Sequence, residues 1–469
     1  MKKTTMMMTG LILFALIFSL APLASGQKHY KELQYSKLND VVIPQPKQVT
    51  LKNGIRLFLL EDHELPFIKM QARFVAGSAW EPADKAGLAG ITGMVMRTGG
   101  SLTMAGDQVD EELEKIAASV ETGIGALEGS ASLSTLKEHF DRVLAIYTDI
   151  LRNPAFPPEK IELAKIEYKS AISRRNDDVG EIAQREYTQL IYGADSPYAR
   201  DEEYATIDAI TREDLVAFHQ QYVQPKGMVL AVWGDFKTPA MLAKLRKTFE
   251  GWKGSAGPLP KAPQVEYTFR KTVNLVPRSD VNQSNIYLGH IGGLKNTPDE
   301  AALLMMNEIL SGGFASRLMN RLRATEGLAY HVGGAYGTNI LYPGVFYMQL
   351  QTKSERTVEA INSMMREMRL MTTEPVTAEE LRIARESWLN AYVFNFDSKD
   401  EVVRRLASYA FIGLPLDYLQ KLRGQIEQVT VADVQRVAQK YLRPEEVQIL
   451  VVGNPAEFDE PLSVLGPVN

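Results

Sequence analysis

The apolar positions of this chain alternate with period two, switch to a helical spacing, return to period two, and then run through the series again. Val49-Thr50-Leu51 and Ile55 to Leu60 flank Lys52-Asn53-Gly54. Asn-Gly between apolar β-formers predicts a hairpin, because both residues tolerate the positive φ that a tight turn needs. Phe67 to Val75, with Phe67, Met70, Ala72 and Phe74 apolar, predicts a strand. Gly87 to Arg97 and Asp107 to Ala118 have helical spacing, and Gly123 to Leu133 reads as one Gly- and Ser-rich strand. Leu136 to Leu151 is an amphipathic helix stopped by Asn153-Pro154. Pro157-Pro158-Glu159 opens a long helix to about Asn176, since proline suits a first turn where its missing N–H is not needed. Thr211, with Asp214 three residues on, starts a helix to Tyr222, and Gly227 to Trp233 closes the set as a strand.

The closing elements recur at one constant separation of 219 residues: Asp214 and Asp433, Tyr222 and Tyr441, Pro225 and Pro444, Gly234 and Gly453. Upstream, Glu159 to Ala171 resembles Glu379 to Ala391 at a separation of 220. Two blocks at nearly one offset indicate a duplicated domain. Between the copies, Glu250 to Pro263 holds three Gly and three Pro without apolar periodicity, and residues 250–264 read as a linker. The copies are assigned to residues 43–249 and 265–469. The second repeats the order, with strands from Thr272, a helix from Pro298 to Leu310, strands around Gly344 to Gln351, and a long helix from about Thr377. Hairpins among helices, without strict βαβ alternation, predict an α+β class.

A chain of 469 residues exceeds what one core supports and suits two domains of about 200 residues each. The formal charge of −5 offers no footprint for nucleic acid, which is excluded as a partner. Met1-Lys2-Lys3, an apolar run over residues 6–24, and small residues at Ala24-Ser25-Gly26 read as a signal peptide of residues 1–26. A run of this length could also stay as a membrane anchor; Pro22 and the small-residue exit favour cleavage, leaving no membrane association. An exported chain without cysteine suits a bacterial periplasm, so the expected location is the periplasm of a Gram-negative bacterium.

Catalytic motifs are missing. None of the six histidines (His29, His63, His139, His219, His290, His331) has another three to five residues away, so no pair presents two imidazoles on one helical face to a metal. There is no cysteine nucleophile, G-x-S-x-G elbow, P-loop or G-x-G-x-x-G.

Gly87-Leu88-Ala89-Gly90-Ile91-Thr92-Gly93-Met94 through Gly99 nevertheless resembles the metal-site helix of the insulinase/pitrilysin zinc peptidases, which reads G-L-A-H-x-x-E-H-M-x-x-x-G in active members. There, two His bind zinc and the Glu serves as general base. In this chain those positions are Gly90, Gly93 and Met94, and a further Glu ligand on the next long helix corresponds to Ser170. The resemblance therefore implies a degenerate site, and no metal is expected in this chain. Ser316-Arg317-Leu318 and Leu322-Arg323 through Gly327-Leu328-Ala329-Tyr330 resemble the signature S-R-L…L-R-x-x-x-G-L-A-Y of the second half. There an Arg and a Tyr reach the substrate beside the zinc, which assigns Arg323 and Tyr330 as assisting catalytic residues. The spacing alone favours Arg323 capping its helix near Glu326 and Tyr330 starting a buried strand; the match of the surrounding positions favours the assisting role.

The resemblance runs from Val49 to about Phe458. It implies two α/β rolls, each a mostly antiparallel sheet with helices on one face, closing a clam-like chamber. Peptides would add as a strand on a sheet edge at Gly123, Gly125 and Gly129, with Gly312 and Gly313 as further substrate-binding positions. Some bacterial members divide the site between two chains, which implies a homologous zinc-bearing partner subunit and peptide substrates. The chain would then be inactive alone, with Zn in the partner. The alternative is a non-catalytic scaffold or peptide-binding protein of the same fold.

Overall fold

The computed structural model describes residues 43–254 and 257–469; the signal peptide read at residues 1–26 lies outside them. The first half contributes β1 (Lys47–Thr50), β2 (Arg56–Glu61), β3 (Phe67–Phe74), β4 (Ser119–Ile124), β5 (Gly129–Leu136) and β6 (Val229–Gly234). Its helices are α1 (Leu88–Thr98), α2 (Gly106–Glu114), α3 (Phe140–Arg152), α4 (Pro158–Arg174), α5 (Val179–Tyr192), α6 (Tyr204–Ala209), α7 (Arg212–Tyr222) and α8 (Thr238–Phe249). The second half contributes β7 (Thr272–Pro277), β8 (Gln283–Ile291), β9 (Gly293–Leu294), β10 (His331–Asn339), β11 (Pro343–Lys353) and β12 (Gln448–Gly453). Its helices are α9 (Glu300–Leu310), α10 (Thr357–Thr373), α11 (Ala378–Tyr392), α12 (Lys399–Ile412), α13 (Tyr418–Gln428) and α14 (Val431–Tyr441).

The sheets run β1-β2-β6-β3-β5-β4 and β7-β12-β8-β11-β10-β9. Without the added edge strands β1 and β9 the two orders coincide, so the duplication seen in the sequence is a duplication of topology. Neighbours are antiparallel except β2 with β6, β7 with β12, and β9 with β10. The repeated Thr-x-x-Asp blocks are capping boxes. Thr211 and Thr430 accept from the N–H of Asp214 and Asp433, whose carboxylates accept in return from the threonine N–H groups at 2.9 and 3.0 Å. Each such cap is worth about 1 kcal/mol.

The Asn-Gly hairpin forms as expected, with Lys47 opposite Leu59 and Thr50 opposite Arg56. Two expectations are corrected. The strand read over Gly123 to Leu133 is a hairpin, β4 and β5, joined through Gly125 to Glu128, because Ile124 pairs with Gly129 across the turn. The helix read to Ala118 ends at Glu114, and Ala117 takes a left-handed turn (φ 49°) that feeds β4. The helix α5, which the sequence reading passed over, is capped by the Asp178 carboxylate accepting from Glu181 N–H at 2.9 Å.

That helix crosses between the halves. Ile182, Ala183, Tyr187 and Ile191 of α5 form one buried cluster with Ile291, Leu450 and Val452 of the second sheet. In return α12 packs on β2, β3 and β6 of the first, held by Lys399–Asp62 at 2.7 Å and Lys69–Asp400 at 3.0 Å. Each sheet thus carries a helix from the other half, beyond the one-sided cover implied at first. This explains why every residue of β6 and β12 is buried. A protease site placed between residues 253 and 257 and cut should therefore leave both halves as one particle on size exclusion in native buffer; separation into two would show that the exchanged helices do not hold them.

Candidate functional site

Helix α1 carries the degenerate metal positions. Its start is tied by the buried Glu81 carboxylate, which accepts from Gly87 N–H at 3.0 Å and Ala89 N–H at 2.7 Å; burial raises the Glu81 pKa against the pull of these two donors. A Cβ on Gly90 would overlap the hydroxyl of Tyr168, which reaches over from α4. Burial, assisted by the nearby Glu202, Glu81 and Glu167 carboxylates, pushes the Tyr168 phenol up to about 12, so at neutral pH it is a neutral filler. On the next turn, a Cβ on Gly93 would lie 2.5 Å from the backbone nitrogen of Ile124 and 2.9 Å from the carbonyl carbon of Gly123, both in β4. Thr122 Oγ1 donates to the Gly93 carbonyl at 2.6 Å and locks that approach. Met94 packs half-buried on the first core. Ser170 is exposed on α4, and its carbonyl accepts from Ser173 Oγ at 2.8 Å. A methionine, a serine hydroxyl and two glycines packed against a phenol and a strand backbone do not fit a zinc ion, which needs nitrogen, thiolate or carboxylate ligands.

Three of the histidines are engaged elsewhere. His219 Nε2 meets the Leu151 carbonyl at 3.0 Å in the core, and His63 lies between Asp235 and Glu61. The buried His290 donates from Nδ1 to the Ile291 carbonyl at 2.7 Å and accepts at Nε2 from Arg443 N–H at 3.2 Å, which fixes one neutral tautomer. His29 lies outside the described residues. Among the described residues no three His, Asp or Glu side chains are grouped to hold a metal ion.

Burial lowers the His290 pKa from 6.5 to about 4. The unfolded chain therefore binds the extra proton between these values, and stability is complete above about pH 6.5 and declines as pH falls toward 4, by about 3 kcal/mol for this group. Urea midpoints measured from pH 7 to pH 4 should fall less steeply for His290→Gln than for the unaltered chain; equal slopes would assign the acid loss to other groups.

The second-half residues lie on a different kind of surface. Residues Met319–Thr325 form a π-helical turn, anchored by buried Leu322 and closed by Leu328 N–H donating to the Leu322 carbonyl at 2.7 Å. Beneath it Arg317 grips Glu380 through two N–H donors at 2.6 and 3.1 Å. Glu326 accepts from Ser363 Oγ at 2.5 Å and from Arg366 at 2.6 Å. With Glu326 so occupied, Arg323 does not pair with it, and Tyr330, at the mouth of β10, is 85% exposed. The Arg323 guanidinium carbon sits 5.1 Å from the Tyr330 ring centre and 5.9 Å from that of Phe314, itself 80% exposed. No carboxylate among the described residues pairs with Arg323; its N–H contact is Met319 Sδ at 3.9 Å. A guanidinium held between two exposed rings is pre-oriented for an incoming carbonyl or carboxylate. The sequence reading missed Phe314, although an aromatic directly after Gly312-Gly313 in a turn was the available signal.

The glycines divide. Gly123 sits in β4, the outermost strand of the first sheet, with open space where a side chain would be, and Gly125 lies in the exposed turn after it. Gly129 is buried in the inner strand β5, where a Cβ would overlap the Phe74 ring, so its role there is packing. At Gly312 a Cβ would lie 2.6 Å from the Glu308 carboxylate, and Gly313 takes a positive φ of 134° in open space.

Residues 59–189 match the sequence model of insulinase (peptidase family M16), and residues 209–387 match that of the peptidase M16 inactive domain. The chain belongs to the M16 family. Over 399 residues it is 24% identical to the non-peptidase homolog YmxG of Helicobacter pylori, covering 84% of this chain and 90% of that protein. It is 22% identical to an uncharacterized zinc protease YmxG of Bacillus subtilis, covering 76% and 86%. Among solved structures, the M16 inactive domain from Pseudomonas fluorescens superposes with a TM-score of 0.78 at 23% identity, over 89% of this chain and all of that one. A protease from Helicobacter pylori superposes at 0.76 with 18% identity, over 87% and 100%. The chain thus combines M16 membership with metal positions that are filled by packing.

Proposed function

We propose that this M16 chain is the zinc-free subunit of an exported heterodimeric peptidase, located in the periplasm of a Gram-negative bacterium. A homologous subunit of similar length carries the zinc, and this chain binds the peptide and presents Arg323 and Tyr330 to it. The reading rests on Arg323: its guanidinium lies beside two exposed rings, no carboxylate among the described residues pairs with it, and it has the right chemistry for a peptide carbonyl. The open backbone edge of β4 at Gly123 supports peptide binding as an added strand. The leader-like residues 1–26 and the lack of cysteine support export.

A second reading, a scaffold that holds peptides or partners without aiding catalysis, draws support from the first half, where Tyr168 and β4 have closed the metal position as ordinary core. Purification of the native protein from periplasmic extract separates the two. The proposal expects a homologous M16 chain at 1:1 with zinc in that chain alone. A protein that emerges with no M16 partner, or with stoichiometric zinc of its own, contradicts it.

A further inference from the structure

A cavity of about 440 Å³ opens in the second half, lined by none of the residues named for either site above, between the segment entering β7, the β9 end of the sheet and the C-terminal end of α14. Its walls include Tyr267, Phe269, Leu294, Tyr336 and Tyr441, with Arg443 beside them. Tyr267 and Leu294, 52% and 39% exposed, stand at the opening, while Leu303 at the back is 4% exposed. The size falls in the range of about 300–1,000 Å³ typical of small-ligand pockets.

The wall is built as a stack. The Arg443 guanidinium carbon lies 5.2 Å from the Phe269 ring centre, Phe269 meets His290 edge-on at 5.5 Å, and Phe346 joins His290 to Tyr336 at 4.9 and 5.8 Å. The charges around it do not cancel. Asp299 is already compensated by Arg436 at 2.6 Å and Lys440 at 2.8 Å, with Tyr441 Oη also donating at 2.8 Å. His290 is buried, which disfavours its protonated form, and its Nε2 accepts from Arg443 N–H, so it adds no charge. Among the described residues Arg443 has no carboxylate partner, so the net charge left at the opening is a cation. Thr297 Oγ1, on a residue lining the cavity, is buried without a partner and would gain one by rotating toward a bound polar group.

We infer that this cavity binds an apolar carboxylate of aromatic side-chain size, its ring among the tyrosines and its carboxylate on Arg443. A flat apolar body is favoured by the four aromatic rings in the walls, and a carboxylate by a guanidinium free to make two parallel hydrogen bonds. A free aromatic acid and the C-terminal residue of a peptide share this chemistry.

Calorimetric titration of the full-length protein tests the assignment with four probes: indole-3-propionate, its uncharged amide, Ala-Ala-Phe with a free C-terminus, and the same peptide amidated. The expected result is saturable 1:1 binding of at least one carboxylate. Its amide and the Arg443→Gln protein should each bind at least about tenfold more weakly, and Leu294→Trp, which fills the opening from an exposed position, should abolish binding. If indole-3-propionate binds and Ala-Ala-Phe does not, the ligand is a free acid; the reverse assigns a peptide end. Melting curves verify that both variants fold. The inference is overturned if no probe saturates, if acid and amide bind alike, or if Arg443→Gln or Leu294→Trp leaves the affinity unchanged.

Discussion

Rebuilding the M16 metal motif by Gly90→His, Gly93→Glu and Met94→His should give a protein that melts several degrees lower and still takes up no stoichiometric zinc. Replacing a helical glycine gains about 1 kcal/mol from propensity, which by itself would stabilise the variant. The packing decides otherwise. At Gly93 the obstruction is the β4 backbone, 2.5 and 2.9 Å from the new Cβ and pinned by Thr122, so relief requires shifting a strand. Overpacking of this kind costs about 3 kcal/mol, and at about 2–4 °C per kcal/mol for domains of this size the loss is visible in a melting curve. At Gly90 the obstruction is the end of a side chain, so Gly90→His alone should cost less and should be partly relieved by Tyr168→Ala. Met94→His, half-buried and unobstructed by backbone, should cost least. A triple variant with one zinc per chain and an unchanged melting temperature would show that the site is merely unoccupied by ligands, not closed.

The second large effect is expected at Arg323. In the complex with a zinc-bearing M16 partner, Arg323→Ala should lower kcat/KM for peptide hydrolysis about hundredfold, the usual scale for removing one preorganised donor from a site that stabilises developing charge. Arg323→Lys should recover little, since a point charge lacks the planar fork that stacks between rings. Tyr330→Phe should cost less, about tenfold, and Phe314→Ala should act by loosening Arg323. With Tyr330 and Phe314 80% exposed or more, neither change should move the melting temperature, which separates a role at the substrate from a role in folding. An Arg323→Ala complex with full activity would leave the scaffold reading standing.

Much of this architecture was legible because the signals were local. The Asn53-Gly54 turn, the paired Thr-x-x-Asp caps and the constant spacing of 219 residues each encode structure within a few residues, and all three reappear as formed elements. What escaped was non-local. The apolar residues of α5 serve a sheet whose strands lie about a hundred residues or more further on, so nothing in their neighbourhood announced the exchange. The β4–β5 turn escaped because glycines at 123, 125 and 129 look alike in a sequence, while one lies in an open edge strand, one in the turn and one under Phe74. Motif comparison revealed that the metal ligands were replaced, but only the packing shows that Tyr168 and the β4 backbone took their place. Arg323 and Tyr330 were nominated from the motif; that Phe314 lies beside the same guanidinium is visible only in the fold.

This chain is proposed to lack a working metal site and to contribute to another chain's. Titrating it into its zinc-bearing M16 partner and following cleavage of an unstructured peptide tests that most directly. The expected result is no hydrolysis by this chain alone, little by the partner alone, and a rate that rises to a plateau at one-to-one stoichiometry. Hydrolysis by this chain in isolation, or a partner rate that its addition leaves unchanged, would contradict it.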